Sequence, residues 1–203
     1  MKERIEEACG RKVSRETFDR LCAYVDILKV GAASQNLISA SSLDHLWERH
    51  IVDSAQLVRF EVPPGASWVD IGAGAGLPGI VIACLVDGPV TLIEPRRLRA
   101  EFLQQVIDKL SLNAEVAAVN AEKASGRFDM ITARAVASIS RLFEISIHLS
   151  TGKSRWVLPK GKSVHSELAE ARGAWQGMFH VERSFTDPNS EIVIATQVKA
   201  RGR

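Results

Sequence analysis

Ser67-Trp68-Val69-Asp70-Ile71-Gly72-Ala73-Gly74-Ala75-Gly76-Leu77-Pro78-Gly79 is the stretch whose reading decides the fold. A short apolar run ends in an acid, passes into a glycine-rich turn, and gives way to a helix opening at Leu77 or Pro78. Glycine lacks a Cβ, so such a turn can take positive φ and let a ligand press against the backbone. Pro78 suits a first helical turn, where its missing N–H has no partner in any case. The free N–H groups of that helix end predict a site for a polar or anionic ligand group.

Outward from this stretch, strand and helix patterns alternate. Apolar runs predict strands at 67–71, 89–94, 114–119, 128–133, 154–159, 178–186 and 190–198. Helical periodicity predicts helices at 78–86, 96–111, 137–149 and 163–175. The alternation points to a mostly parallel seven-stranded sheet covered on both faces. Thr186-Asp187-Pro188-Asn189-Ser190 is turn chemistry, so the last two strands form an antiparallel hairpin.

Upstream, Ser14 caps a helix over 14–34 with Phe18, Leu21, Cys22, Val25 and Leu28 on its apolar face. A second helix starts near Ser41, with Asp44 completing a weak capping box. It carries Leu43, Leu46, Trp47, Ile51, Ala55 and Val58 and stops at Pro63-Pro64-Gly65. Residues 1–62 thus read as a helical extension packed on a Rossmann-like core over 63–203. The basic tail Lys199-Ala200-Arg201-Gly202-Arg203 reads as mobile.

The length of 203 residues suits one α/β domain, and 46% hydrophobic with 25% charged residues is ordinary for a soluble globular protein. A net charge of +2 is too small to argue for a nucleic-acid partner unless a local basic face makes the case. Cys9, Cys22 and Cys84 form no CxxC pair and no cluster with histidines, so neither a disulfide framework nor a metal site is expected. No apolar run approaches the roughly 18 residues of a membrane span. Met1-Lys2-Glu3-Arg4 has no signal-peptide character. A cytoplasmic, reduced setting is the expectation.

Gly74-x-Gly76-x-x-Gly79 matches the dinucleotide fingerprint literally. However, the first glycine after the strand is Gly72, two residues earlier, and Asp70 stands where dinucleotide sites keep an apolar residue. These features, with the terminal hairpin, resemble the class I S-adenosylmethionine (AdoMet)-dependent methyltransferases. Asp70, Gly72, Gly74 and Gly76 are then candidates to hold AdoMet, although Asp70 reads equally well as a buried acid bonding backbone amides. Glu94 ends the second strand roughly 20 residues beyond the glycines, where a carboxylate can accept the ribose hydroxyls of a nucleoside. After the third strand come Ala121 and Glu122, on the adenine side. Arg134 ends the fourth strand at the crevice rim, where its guanidinium can clamp a carboxylate or a phosphate.

Taken together, the chain resembles the RsmG (GidB) family of bacterial small-subunit ribosomal RNA methyltransferases from about Asn36 through Lys162. The motifs that carry the resemblance are Asn36-Leu37-Ile38, Glu48-Arg49-His50-Ile51-Val52-Asp53-Ser54, Asp70 through Gly79, and Leu158-Pro159-Lys160-Gly161. One departure is Glu94-Pro95-Arg96-Arg97, where relatives often carry Asp-Ser before a basic pair. The resemblance implies AdoMet-dependent methylation of guanine N7 in the helix-18 loop of 16S ribosomal RNA. It also implies Gly72, Leu77, Ala121, Glu122 and Arg134 as cofactor contacts. The partner would be that RNA within the small subunit or its precursor, and the chain a monomer.

Guanine N7 already has an in-plane lone pair, so no acid or base residue is needed and catalysis is orientation. His50 and Asp53, three apart on one helix face, read as a structural or RNA contact in preference to a catalytic dyad. Arg96, Arg97 and Arg99, Arg134, and Lys160 with Lys162 are the candidates to hold RNA. Three other readings stay open: a small-molecule or protein methyltransferase, a nicotinamide oxidoreductase, and a non-catalytic RNA-binding assembly factor.

Overall fold

The computed structural model describes residues 1–35 and 45–202. The expected start of the second helix near Ser41, its capping Asp44 and the Asn36-Leu37-Ile38 motif lie outside the described residues. Residues 1–13, to which the sequence assigned no role, contain helix α1 (Lys2–Cys9). Gly10 closes it at φ 70, donating its N–H to the Glu6 carbonyl, as a left-handed C-cap does. Ser14 caps α2 (Arg15–Gln35), its Oγ accepting the Thr17 amide at 3.0 Å. Next comes a continuous helical run, α3, which is π-helical over Trp47–Val52, makes one α turn at Asp53–Ala55, and tightens to 3-10 geometry over Gln56–Phe60.

From Trp68 the chain alternates as the pattern predicts. In order come β1 (Trp68–Ile71), α4 (Gly79–Leu85), β2 (Val90–Ile93), α5 (Arg97–Leu110), β3 (Ala114–Ala117) and β4 (Met130–Thr132). They are followed by α6 (Ile139–Ser146), β5 (Arg155–Lys160), α7 (Val164–Ala174), β6 (Trp175–Arg183) and β7 (Glu191–Ala200). The sheet order is β3-β2-β1-β4-β5-β7-β6. The first five strands are parallel, and β7 runs antiparallel to both β5 and β6.

Successive strand residues serve opposite faces, which divides the core in two. Trp68, Leu92, Met130 and Val157 face α1 through α5. Val69, Ile93, Ile131, Trp156 and Leu158 face α6 and α7. The N-terminal helices therefore share one apolar cluster with α4 and α5, on the same side of the sheet. On the other side Phe143 meets Trp156 and Trp175 edge-on, with centroids 4.9 and 5.5 Å apart, the geometry aromatic quadrupoles favour.

The hairpin is longer than the apolar pattern suggests, and this corrects the reading of the tail. Lys199 and Ala200 belong to β7, and Arg201 donates its amide to the Ala174 carbonyl at 2.8 Å. Backbone pairing continues past the last apolar side chain because it does not depend on side-chain character. The turn itself is made as expected, with Asp187 accepting from the Asn189 amide at 2.9 Å and from the Ser190 hydroxyl at 2.9 Å.

Candidate active site

The glycine turn sits at the carboxyl end of β1, and two acids hold it. Gly72, Gly74 and Gly76 take φ of 69, 59 and 93, a region that strains any residue with a Cβ. Glu94, 3% exposed, accepts the Gly74 amide through Oε2 and the Arg96 amide through Oε1, both at 2.9 Å. Asp70, 1% exposed, accepts the Gly79 amide at 2.8 Å. From a third side, the buried Tyr24 hydroxyl of α2 donates to the Ala75 carbonyl at 2.8 Å.

This arrangement corrects the expectation that free amides at the helix start receive a ligand. The Gly79 amide is taken by Asp70 and the Ile80 amide by the Gly76 carbonyl at 2.8 Å. Gly79 is glycine for a steric reason, since a Cβ there would run into Leu92 and approach Asp70 Oδ2 to 2.7 Å. Close contact of helix and strand is what the last glycine of such turns permits. What remains for a ligand is the turn itself and Glu94. A carboxylate has about four lone-pair positions, so two amide bonds leave Glu94 able to accept more.

The other predicted positions divide. Leu77 is 6% exposed and belongs to the apolar core together with Ala73 and Ala75 of the turn. Ala121 lies at the start of a short 3-10 turn after β3, and Glu122 next to it pairs with Arg141 at 3.4 Å. Arg96 is exposed, Arg97 pairs with Glu101 at 3.2 Å on the surface, and Arg99 has its Nη1 3.8 Å from where a Gly74 Cβ would lie.

Arg134 reaches across to α3, with Nη1 3.4 Å from Asp53 Oδ2. Asp53 Oδ1 also accepts from Thr186 Oγ1 at 2.7 Å and from Gln56 Nε2 at 2.8 Å. Gln56 in turn accepts the Phe185 amide at 2.7 Å. The Asp53 amide donates to the His50 carbonyl within the helix, but neither ring nitrogen of His50 has a hydrogen-bond partner among the described residues. The two residues form no dyad. Burial lowers the His50 imidazole to about 4, with Arg134 and Arg49 adding to the effect. Burial pushes the Asp70 carboxyl up to about 7; the Gly79 amide and Arg134 oppose the rise, and Glu94 adds to it.

Lys160 is turned inward. Its Nζ donates to the Ala137 carbonyl at 2.7 Å and pairs with Glu167 at 2.9 Å, whereas Lys162 is exposed. These groups border a cavity of about 480 Å³ at the ends of β4 and β5 and the start of β7, lined by Asp53, Arg134, Val136, Lys160, Glu167 and Glu191 among others. Sequence reading missed Tyr24, Gln56, Thr186 and Glu191. Tyr24 was discoverable from its place three residues after Leu21 on the buried face of α2; the others act only through distant partners.

A parallel sheet in this order, reversed by β7, with a glycine turn after β1 and an acid ending β2, defines the class I SAM-dependent methyltransferase fold. A SAM-dependent methyltransferase from Aquifex aeolicus shares it, with TM-score 0.60 over 78% of this chain and 98% of that chain at 17% identity. Within that class, the model of the GidB family, described as rRNA small subunit methyltransferase G, matches residues 17–191, and the chain belongs to this family. Ribosomal RNA small subunit methyltransferase G of Zymomonas mobilis is 42% identical over 195 residues, covering 92% of this chain and 88% of the relative. The protein of the same name from Sphingopyxis alaskensis is 43% identical over 186 residues, covering 90% and 80%.

Proposed function

We propose that this chain methylates N7 of a guanine in the helix-18 loop of 16S ribosomal RNA, within the small subunit or its precursor, using AdoMet. The observation that carries the reading is the glycine turn clamped by Glu94 and Asp70 in a member of the rRNA small subunit methyltransferase G family. The donor set fits the cofactor. Glu94 retains lone pairs for ribose hydroxyls, Gly72, Gly74 and Gly76 offer Cβ-free backbone, and Ala121 with Glu122 would take the adenine. Arg134 has the charge for the cofactor carboxylate or for an RNA phosphate.

AdoMet supplies a methyl group already activated by its sulfonium. The protein's own work is orientation and exclusion of water. Guanine N7 attacks with its in-plane lone pair, so no proton has to leave first and no general base is required. Holding the two reactants in line at near-attack distance supplies the rate. Arg96, Arg97 and Lys162 stand exposed around the crevice to hold phosphates, and the target base must leave its stack or be offered from a loop.

Small subunits from a strain lacking the modification, incubated with the protein and methyl-tritiated AdoMet, test the reading. The expected outcome is incorporation at one guanine, released as N7-methylguanine. Incorporation at another atom or base, or none, overturns it. Calorimetric titration with AdoMet and with NAD provides a second measurement, with AdoMet alone expected to bind.

A further inference from the structure

Methyl transfer leaves open which side chain tells guanine from the other bases. Building on the reading above, we infer that Glu191 recognises the Watson–Crick edge of the acceptor guanine in the cavity between β4, β5 and β7. The cavity runs from Arg134 and Val136, beside the glycine turn, to Glu191 at the start of β7. A Gly72 Cβ would lie 2.7 Å from Val136 Cγ2, so this end of the cavity adjoins the donor turn directly. From β4 to β7 is two inter-strand spacings, roughly 10 Å, which accommodates one purine and a hydrogen bond.

Guanine turned with N7 toward the donor carries N1–H and the 2-amino group on its opposite edge. These are two nearly parallel donors, and their complement is a carboxylate with an uncommitted oxygen. Among the described residues, three carboxylates line the cavity. Asp53 is committed to Arg134, Thr186 and Gln56. Glu167 is committed to Lys160, to Ser163 at 2.7 Å and to the Ile139 amide at 3.1 Å. Glu191 has one side-chain contact among the described residues, from Oε2 to His165 Nε2 at 3.1 Å. That histidine is 75% exposed, so the contact is weak and easily exchanged.

Lys160 is the register partner of Glu191 across β5 and β7. Its ammonium is bound to Glu167 and Ala137, so it lies against the cavity wall without pairing with Glu191. Adenine would bring an unprotonated N1 against the carboxylate, so the same group that selects guanine repels its nearest competitor.

The test uses small subunits reconstituted with 16S ribosomal RNA carrying either guanine or inosine at the target. Inosine keeps N7 and N1–H and lacks the 2-amino group. Wild-type protein is expected to lose about 10-fold in kcat/KM on inosine, and Glu191→Gln to lose about 10- to 100-fold on guanine. In the variant the inosine penalty shrinks to within about 2-fold, because the two changes remove the same contact. AdoMet affinity by calorimetry and the unfolding midpoint are expected to stay at wild-type values. Unaltered kcat/KM on guanine, or equal losses on both RNAs, overturns the role of Glu191. Failure of wild-type protein on guanine subunits overturns the methyl-transfer reading, and this inference with it.

Discussion

The two halves of the crevice are built differently. On the β1–β2 side, Asp70 and Glu94 grip backbone amides no more than 20 residues away in sequence. On the β4–β5–β7 side, the contacts centred on Asp53 join side chains across long separations. Arg134 meets Asp53 over 81 positions, and Asp53 meets Thr186 over 133. The donor half is therefore held mainly by contacts local in sequence, with the Tyr24 bond to Ala75 the long-range exception. The proposed acceptor half exists only once α3, β4 and the hairpin have come together, and substrate choice is assigned to it through Glu191.

The largest expected effect tests the buried acids of the donor half. Asp70 has a folded-state pKa of about 7 against 3.8 for the free side chain. Its favourable contribution is thus present below about pH 4 and is lost as pH rises toward 7. His50, at about 4 against 6.5, has the opposite sign, its contribution being present above 6.5 and lost as pH falls toward 4. The two slopes oppose each other in wild-type protein. Asp70→Asn removes one of them, so the variant gains on wild type with rising pH, by up to about 4 kcal/mol between pH 4 and 7. Urea unfolding of both proteins across that range measures the difference; parallel curves would refute the buried-acid account.

A pair of alanines compares the halves directly. Gly79→Ala drives a methyl group into Leu92 and Asp70 and should destabilise by about 3 kcal/mol, or roughly 6 to 12 °C in Tm for a chain of this size. Gly161→Ala, beside the cavity, has none of the described residues within 4 Å of the new atom and takes no unusual φ. Its Tm should stay within about 1 °C of wild type, as for exposed substitutions generally. Equal shifts in calorimetry would erase the distinction between a packed donor turn and an open acceptor rim.

The smallest effect separates the two lysines. Exposed Lys162 should contribute one phosphate contact, so Lys162→Ala reduces the slope of log affinity against log salt by about 1 on RNA. Lys160, bound to Glu167 and Ala137, should leave that slope alone and lower stability when replaced by alanine. Filter binding at several salt concentrations distinguishes them, and a slope change in the Lys160 variant instead would place its ammonium on RNA.

The glycine turn with which the sequence reading began was legible because its conformation is encoded locally. Positive φ demands Gly72, Gly74 and Gly76 where they stand, and strand periodicity places Asp70 and Glu94 at the carboxyl ends of β1 and β2. The hairpin was legible for the same reason, from Asp187-Pro188-Asn189. What each acid does was not legible. Amide bonding was one of two readings open for Asp70, but only packing decides for it, shows that Glu94 holds amides as well, and leaves Asp70 titrating near 7. The outward-facing role expected for Lys160 rested on its place at a strand end; the tertiary fold instead supplies Glu167 from α7, and charge pairing decides its direction. Sequence by itself thus determined the α/β alternation, the donor turn and the terminal hairpin, all governed by backbone sterics and by apolar spacing within a few residues. The tertiary structure decided the cavity between β4, β5 and β7, because its walls include ion pairs and hydrogen bonds between residues that meet only after the sheet is assembled.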